Sequence, residues 1–190
     1  MKLLRYVSSL LVALAFTASA HSAQIENLLP EGEMIGSPGS PPRGWQAPHA
    51  NWLQVRGASI ALEKDAQEPG NYVAFTNTDG KQLIRLQAQL EVKPAWVGRN
   101  LAYRLRVRGT EIGSGAESWH LAGLMLYYTD DQGKQRYSPG RLQLDVPTPQ
   151  WRRLTGRWTV TPDAKILHID IGLLGATGNL QIRDVELFFD

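Results

Sequence analysis

The sequence predicts an all-β protein, an antiparallel two-sheet jelly-roll sandwich. Three observations predict it: apolar residues recur with period two along most of the chain, turn-forming clusters interrupt those runs at short intervals, and no window sustains a helical period over three turns. A strand sends successive side chains to opposite faces, so alternation marks one buried and one wetted face. Many short strands of this kind bury their apolar faces by pairing into two packed sheets.

The first strands are read at 53–63 and 71–77, parted by the turn signal Glu68-Pro69-Gly70-Asn71. In 83–91, Ile84, Leu86, Ala88 and Leu90 alternate with Arg85, Gln87, Gln89 and Glu91. In 101–108, Leu101, Tyr103, Leu105 and Val107 alternate with Ala102, Arg104, Arg106 and Arg108. Further strands are expected at 119–129, 141–146, 151–160, 165–174 and 179–189, with turns at Thr78-Asp79-Gly80, Asp130-Asp131-Gln132-Gly133 and Ser138-Pro139-Gly140. The last strand changes phase, because Leu180 and Ile182 have one parity and Val185, Leu187 and Phe189 the other. A β-bulge at Arg183-Asp184 would restore a single inward face. The Ser-, Pro- and Gly-rich stretch Gly36 to Gly44 follows too few residues to close off a domain, and is read as a long surface loop.

Ahead of the strands, Lys2 and Arg5 precede an apolar run from Val7 to Phe16 and then small residues, the pattern of a secretory signal peptide. Cleavage after Ala20 or Ala23 fits; with the second, residues 1–23 are the signal and 24–190 a single domain, periplasmic or extracellular. The run is shorter than the roughly 20 apolar residues that span a bilayer, and no later segment approaches it, so no membrane span is expected. Lys2 and Arg5 account for the excess of 20 basic over 18 acidic residues. The mature chain is therefore balanced, which gives no warrant for a nucleic-acid partner. Cysteine is absent, so the exported domain depends on its core and not on disulfides.

Asn27-Leu28-Leu29-Pro30-Glu31-Gly32 near the start, Gly44-Trp45 soon after, and Gln181-Ile182-Arg183-Asp184-Val185-Glu186-Leu187 at the end carry a resemblance. The chain resembles the jelly-roll carbohydrate-binding modules of bacterial cellulases and xylanases, families four and nine, which are galactose-binding-like β-sandwiches. The resemblance implies an exported, non-catalytic protein that binds a polysaccharide or oligosaccharide across the concave face of one sheet. It also implies a structural Ca²⁺ held by carboxylates from the two chain ends. At those positions Glu33 replaces an Asp, Ile35 a Glu and Arg183 the first closing Asp, which leaves Glu33 and Asp184 as candidate ligands. Calcium takes six or more hard oxygens, so these departures weaken the site. No other cofactor is implied.

Three polar rows are candidates for the ligand face: Arg104, Arg106 and Arg108; Gln87 with Arg85 and Gln89; and His168 with Asp170. Guanidinium groups stack on planar faces and fork hydrogen bonds to carboxylates, so arginines on that face favour an anionic polysaccharide. The alternative is a solvated outer face of cross-strand Arg–carboxylate pairs. Among the six tryptophans, parity sets Trp158 with Leu154 and Val160 in the core and Trp151 on the opposite face. Trp119 and Tyr127 share a parity opposite to Leu124, Leu126 and Tyr128, which nominates them as the stacking platform. Catalytic signatures are mostly absent: there is no Cys nucleophile, Gly-x-Ser-x-Gly elbow, His-Glu-x-x-His, phosphate loop or Gly-x-Gly-x-x-Gly before a helix. His21, exposed by cleavage after Ala20, would suit a copper brace, but His49, His120 and His168 lack ligand spacing. Two other classes stay open: an envelope or extracellular protein-interaction module, marked by a large exposed apolar patch, and a jelly-roll lyase or hydrolase. The latter would show two facing acids, or a Tyr beside an Arg and a His.

Overall fold

A computed structural model of the chain describes residues 26–29, 32–37, 39–48 and 57–190, excepting the Ser138 side chain. The signal-peptide segment, His21, His49, Trp52 and the first residues of the 53–63 strand lie outside the described residues. Among the described residues nine strands follow in order: β1 (Ala58–Lys64), β2 (Asn71–Asn77), β3 (Leu83–Glu91), β4 (Asn100–Gly113), β5 (Leu121–Asp130), β6 (Gln135–Gln143), β7 (Thr148–Thr159), β8 (Ala164–Leu174) and β9 (Thr177–Phe189). They form a five-stranded sheet in the order β1-β2-β9-β4-β7 and a four-stranded sheet in the order β3-β8-β5-β6. Every neighbouring pair is antiparallel. The chain changes sheet between β2 and β3 and at most later steps, so residues distant in sequence meet on one face.

Between the sheets lie the inward residues of each alternating run, Leu105 and Val107 from β4, Leu124 and Leu126 from β5, and Leu167, Ile169, Ile171 and Leu173 from β8, all fully buried. Each such side chain contributes about 1.5–3 kcal/mol by leaving water. The polar partners of the alternation are thereby turned outward on both sheets.

The phase break in the last strand is a bulge, as its sequence predicts. Arg104 pairs with Glu186 but Arg106 pairs with Arg183, and Asp184 takes φ 50°. The extra residue lets Ile182, Val185 and Leu187 all point inward. The chain ends are joined through Asn27, whose Oδ1 accepts the N–H groups of Leu29 (3.1 Å) and Leu187 (2.8 Å) while its Nδ2 donates to the Val185 carbonyl (3.1 Å). The Gly32 carbonyl accepts the Val185 N–H at 3.0 Å, and a Cβ on Gly32 would fall 1.9 Å from the Val185 oxygen.

One turn assignment needs correction. Ser138-Pro139-Gly140 lies inside β6, and that strand ends at Gln143 and not at 146. A proline is tolerated there because β6 is the edge strand, with a register irregularity opposite Leu126 and Tyr128. The Asp130 turn is held as expected: its carboxylate accepts N–H groups from Gln132 (3.0 Å) and Lys134 (2.8 Å) and the Nε of Arg136 (2.8 Å). Those bonds, the Lys134 amide first, keep its carboxyl below the usual range.

Candidate functional site

The outward face of the four-stranded sheet carries the candidate site. Register sets Gln87, Asp170, Met125 and Arg141 side by side across β3, β8, β5 and β6. In the next row stand Gln89, His168 and Tyr127. On the other side of the first row, Arg85 and Gln143 flank a directly paired Gly172 and Gly123. Two positions of that row thus carry no side chain, and a cavity of about 810 Å³ opens on this face of the sheet, bounded by Leu83, Met125, Leu174, Trp119, Tyr137 and the Arg85–Asp170 pair.

Asp170 is fully buried, yet its charge is matched. Arg85 Nη1 lies 2.5 Å from Oδ2, and Gln87 Nε2 donates to Oδ1 at 2.8 Å. Burial pushes the Asp170 carboxyl above its ordinary value, against the pull of Arg85. Gln87 Nε2 also donates to the Tyr127 hydroxyl at 2.7 Å, which ties β3 to β5 across β8. Burial, with the Asp170 charge adding, pushes the Tyr127 phenol up to about 12.

An aromatic stack crosses three strands. Tyr127 lies against His168 with centroids 4.6 Å apart and planes 4° apart, and against Tyr137 at 5.0 Å and 25°. Tyr127 is only 4% exposed, so the expectation that it offers a free platform is corrected: its faces are already occupied, and the ring open to solvent is Tyr137, 60% exposed. Trp119 is 45% exposed and braces edge-on against His120, but it lies in the turn before β5, since that strand begins at Leu121 and not at 119 as the alternation suggests.

His168 and Asp170 lie beneath this surface and act as its support. His168 Nε2 is 2.8 Å from Thr129 Oγ1, and Nδ1 is buried with no partner. Burial pushes the His168 pKa below 6.5. Because the folded value is the lower one, the unfolded chain takes up the proton first, so this contribution to stability is complete above about pH 6.5 and is lost as pH falls below it. The urea midpoint is expected to drop between pH 7 and pH 5 more in the parent than in His168→Gln; equal slopes would show that His168 is not the titrating group.

Arg104, Arg106 and Arg108 are on the other sheet, so the condition for their joining this face is not met. Arg104 pairs with Glu186, Arg106 with Glu68 (2.7 Å) and Asp184 (3.5 Å), and Arg108 with Gln181 and Asp65 (3.6 Å). Trp151, on the same outer face, donates from Nε1 to Asp65 Oδ2 at 2.9 Å, with the Arg108 guanidinium 4.4 Å from its ring. This is the cross-strand arrangement of Arg–carboxylate pairs. The period-two pattern assigns these arginines an outward face but cannot say which sheet β4 joins.

The calcium ligands implied by the chain ends do not fit a metal. Glu33 is exposed, and Asp184 Oδ2 faces Arg106 Nη1 and Arg183 Nε, the latter at 3.2 Å. The nearly buried Arg183 also donates to the Pro69 carbonyl at 2.5 Å and lies 3.6 Å from Asp65. Guanidinium groups thus supply the positive charge at this seam. Among the described residues no three His, Asp or Glu side chains are grouped to hold a metal ion.

No protein-family model and no curated protein matches the sequence. Solved structures do match in fold. The chain is similar to the CBM22-1 xylan-binding domain of Paenibacillus barcinonensis Xyn10C, with TM-score 0.55 and 13% identity over 87% of this chain and 95% of that one. It is also similar to the C-terminal family 22 carbohydrate-binding module of Clostridium thermocellum Xyn10B, with TM-score 0.52 and 17% identity over 84% and 97%. A third match is the enzymatically active domain of bacteriophage CBA120 tailspike protein 4, with TM-score 0.55 and 10% identity; it covers 78% of this chain but only 20% of that one. The fold is the jelly-roll sandwich of carbohydrate-binding modules. Two of these matches are family 22 modules; the finer likeness to families four and nine rests on the sequence motifs.

Proposed function

We propose that this is an exported, non-catalytic carbohydrate-binding protein whose ligand lies on the outward face of the β3-β8-β5-β6 sheet. The observation that carries the reading is the convergence, in one cavity, of exposed Trp119 and Tyr137 with the guanidiniums of Arg85 and Arg141. Flat rings take the C–H face of a pyranose, and the guanidiniums orient its oxygens. An acidic sugar is the finer reading. Arg85 is neutralised by Asp170, whereas Arg141 donates to the Ser118 carbonyl at 3.0 Å and meets no carboxylate among the described residues, so the cavity keeps a net positive charge.

Calorimetric titration with neutral and uronate-containing polysaccharides tests this. Trp119→Ala and Tyr137→Ala are each expected to weaken binding about tenfold or more, and Arg141→Ala to weaken the acidic ligand selectively. Arg106→Ala, on the other sheet, should leave affinity unchanged. Loss of binding with Arg106→Ala and not with Tyr137→Ala would move the site to the five-stranded sheet.

An enzymatic reading gains one feature, since Tyr127 does stand near Arg85 and His168. Their geometry favours support over catalysis: the imidazole stacks on the phenol ring and does not reach its hydroxyl, and Gln87 already holds that hydroxyl. For a protein-docking module the exposed large apolar residues are too dispersed: Ile35, Val97, Val146 and Ile166 lie on separate elements, while Trp119 and Tyr137 belong to the cavity.

A further inference from the structure

The binding face has two unlike ends. Toward Gln89 and His168 it is polar, and the Gln89 amide donates to the Gln87 side-chain oxygen at 3.1 Å. Toward the start of β3 and the end of β8 it becomes apolar, with Leu83, Leu174 and Met125 surrounding the hollow beside the Gly172–Gly123 pair. A sugar hydroxyl lodged against those three side chains would give up its water and gain no hydrogen bond in return. The cavity, at about 810 Å³, has the capacity of pockets that enclose a drug-sized body, larger than one sugar ring needs.

We propose that the cleft takes a sugar residue bearing an aryl substituent, with the aromatic group seated in the Leu83–Met125–Leu174 hollow and the sugar lying along Tyr137 toward the Gln87–Gln89 amides. This rests on the carbohydrate-binding reading above and specifies its ligand. An aryl group is favoured over a plain alkyl chain because the hollow offers ring partners and a thioether at once: Trp119 and Tyr137 at its rim, and Met125 in its wall. Arg85 and Arg141 stand at the border between the two ends, placed for oxygens at the linkage or for a sugar carboxylate.

The test is calorimetry on the full chain with matched phenyl and methyl β-D-glycosides of xylose, glucose and glucuronic acid, with benzyl alcohol as a sugar-free control. For the sugar that binds, the phenyl glycoside is expected to bind about tenfold or more tightly than the methyl glycoside. Met125→Gln, which puts an amide into the hollow, should reduce that ratio to about threefold or less, and thermal unfolding of the variant confirms that it is folded. Equal binding of phenyl and methyl glycosides overturns the inference and leaves the carbohydrate reading standing. Benzyl alcohol binding as tightly as the phenyl glycosides, or no glycoside binding at all while uronate polysaccharides also fail, overturns both.

Discussion

Asp170→Ala is expected to destabilise the protein by about 3–5 kcal/mol, read as a lower urea midpoint with an unchanged slope. The carboxylate has no solvent access, and it answers two donors, Arg85 at 2.5 Å and Gln87 at 2.8 Å. Its removal strands a guanidinium whose Nε is already buried without a partner, and it releases the Gln87 amide that fixes the Tyr127 hydroxyl. The cost lies mainly in the orphaned charge and not in the lost attraction. The double variant Arg85→Met, Asp170→Leu should therefore recover much of the loss while binding stays impaired. A single-variant loss below about 1 kcal/mol would show that water reaches the pair and replaces the carboxylate.

Gly172→Ala should be at least as damaging. Gly172 takes φ +140°, and a Cβ there would stand 2.2 Å from the Ile84 carbonyl oxygen on β3 and 3.0 Å from the Phe75 ring in the core. Neither neighbour can yield cheaply, because one is ladder backbone and the other is packed between the sheets. The β3–β8 pairing must part, which belongs among substitutions costing more than about 4 kcal/mol. Gly133→Ala is the control: it also has positive φ but meets nothing within 4 Å, so only the backbone term of about 1 kcal/mol applies. Thermal unfolding separates the two. Similar melting temperatures for both variants would mean that the sheets approach less closely at Gly172.

Much of the architecture is legible in the sequence because period two is a local property. Ile84 to Leu90 and Leu167 to Leu173 announce their inward faces without knowledge of any partner, and the parity change around Arg183-Asp184 foretells the bulge. Sheet membership is not local. Arg104, Arg106 and Arg108 alternate as cleanly as Arg85, Gln87 and Gln89, and only the strand order shows that the first row lies beside Glu186 and Asp184 while the second belongs to the sheet that carries the cavity, which Arg85 lines. Tyr137 and Arg141 are missed for a different reason: Pro139-Gly140 has turn chemistry, and only the edge position of β6 lets it remain a strand. Tyr127 is placed on the correct face, but parity cannot reveal that neighbouring rings cover it.

Because β6 borders only β5 within its sheet, the wall that carries Tyr137, Gly140 and Arg141 hangs from a single ladder, whereas β3 at the opposite edge pairs with β8 and is also bridged on its outer side, where Gln46 and Gln87 exchange backbone hydrogen bonds of 2.8 Å. The mouth is thus hinged on its cheaper side. On the proposed carbohydrate-binding reading, random mutagenesis confined to the outward residues of that outermost ribbon is a route to new ligand preferences that spares Leu142 and the rest of the interior.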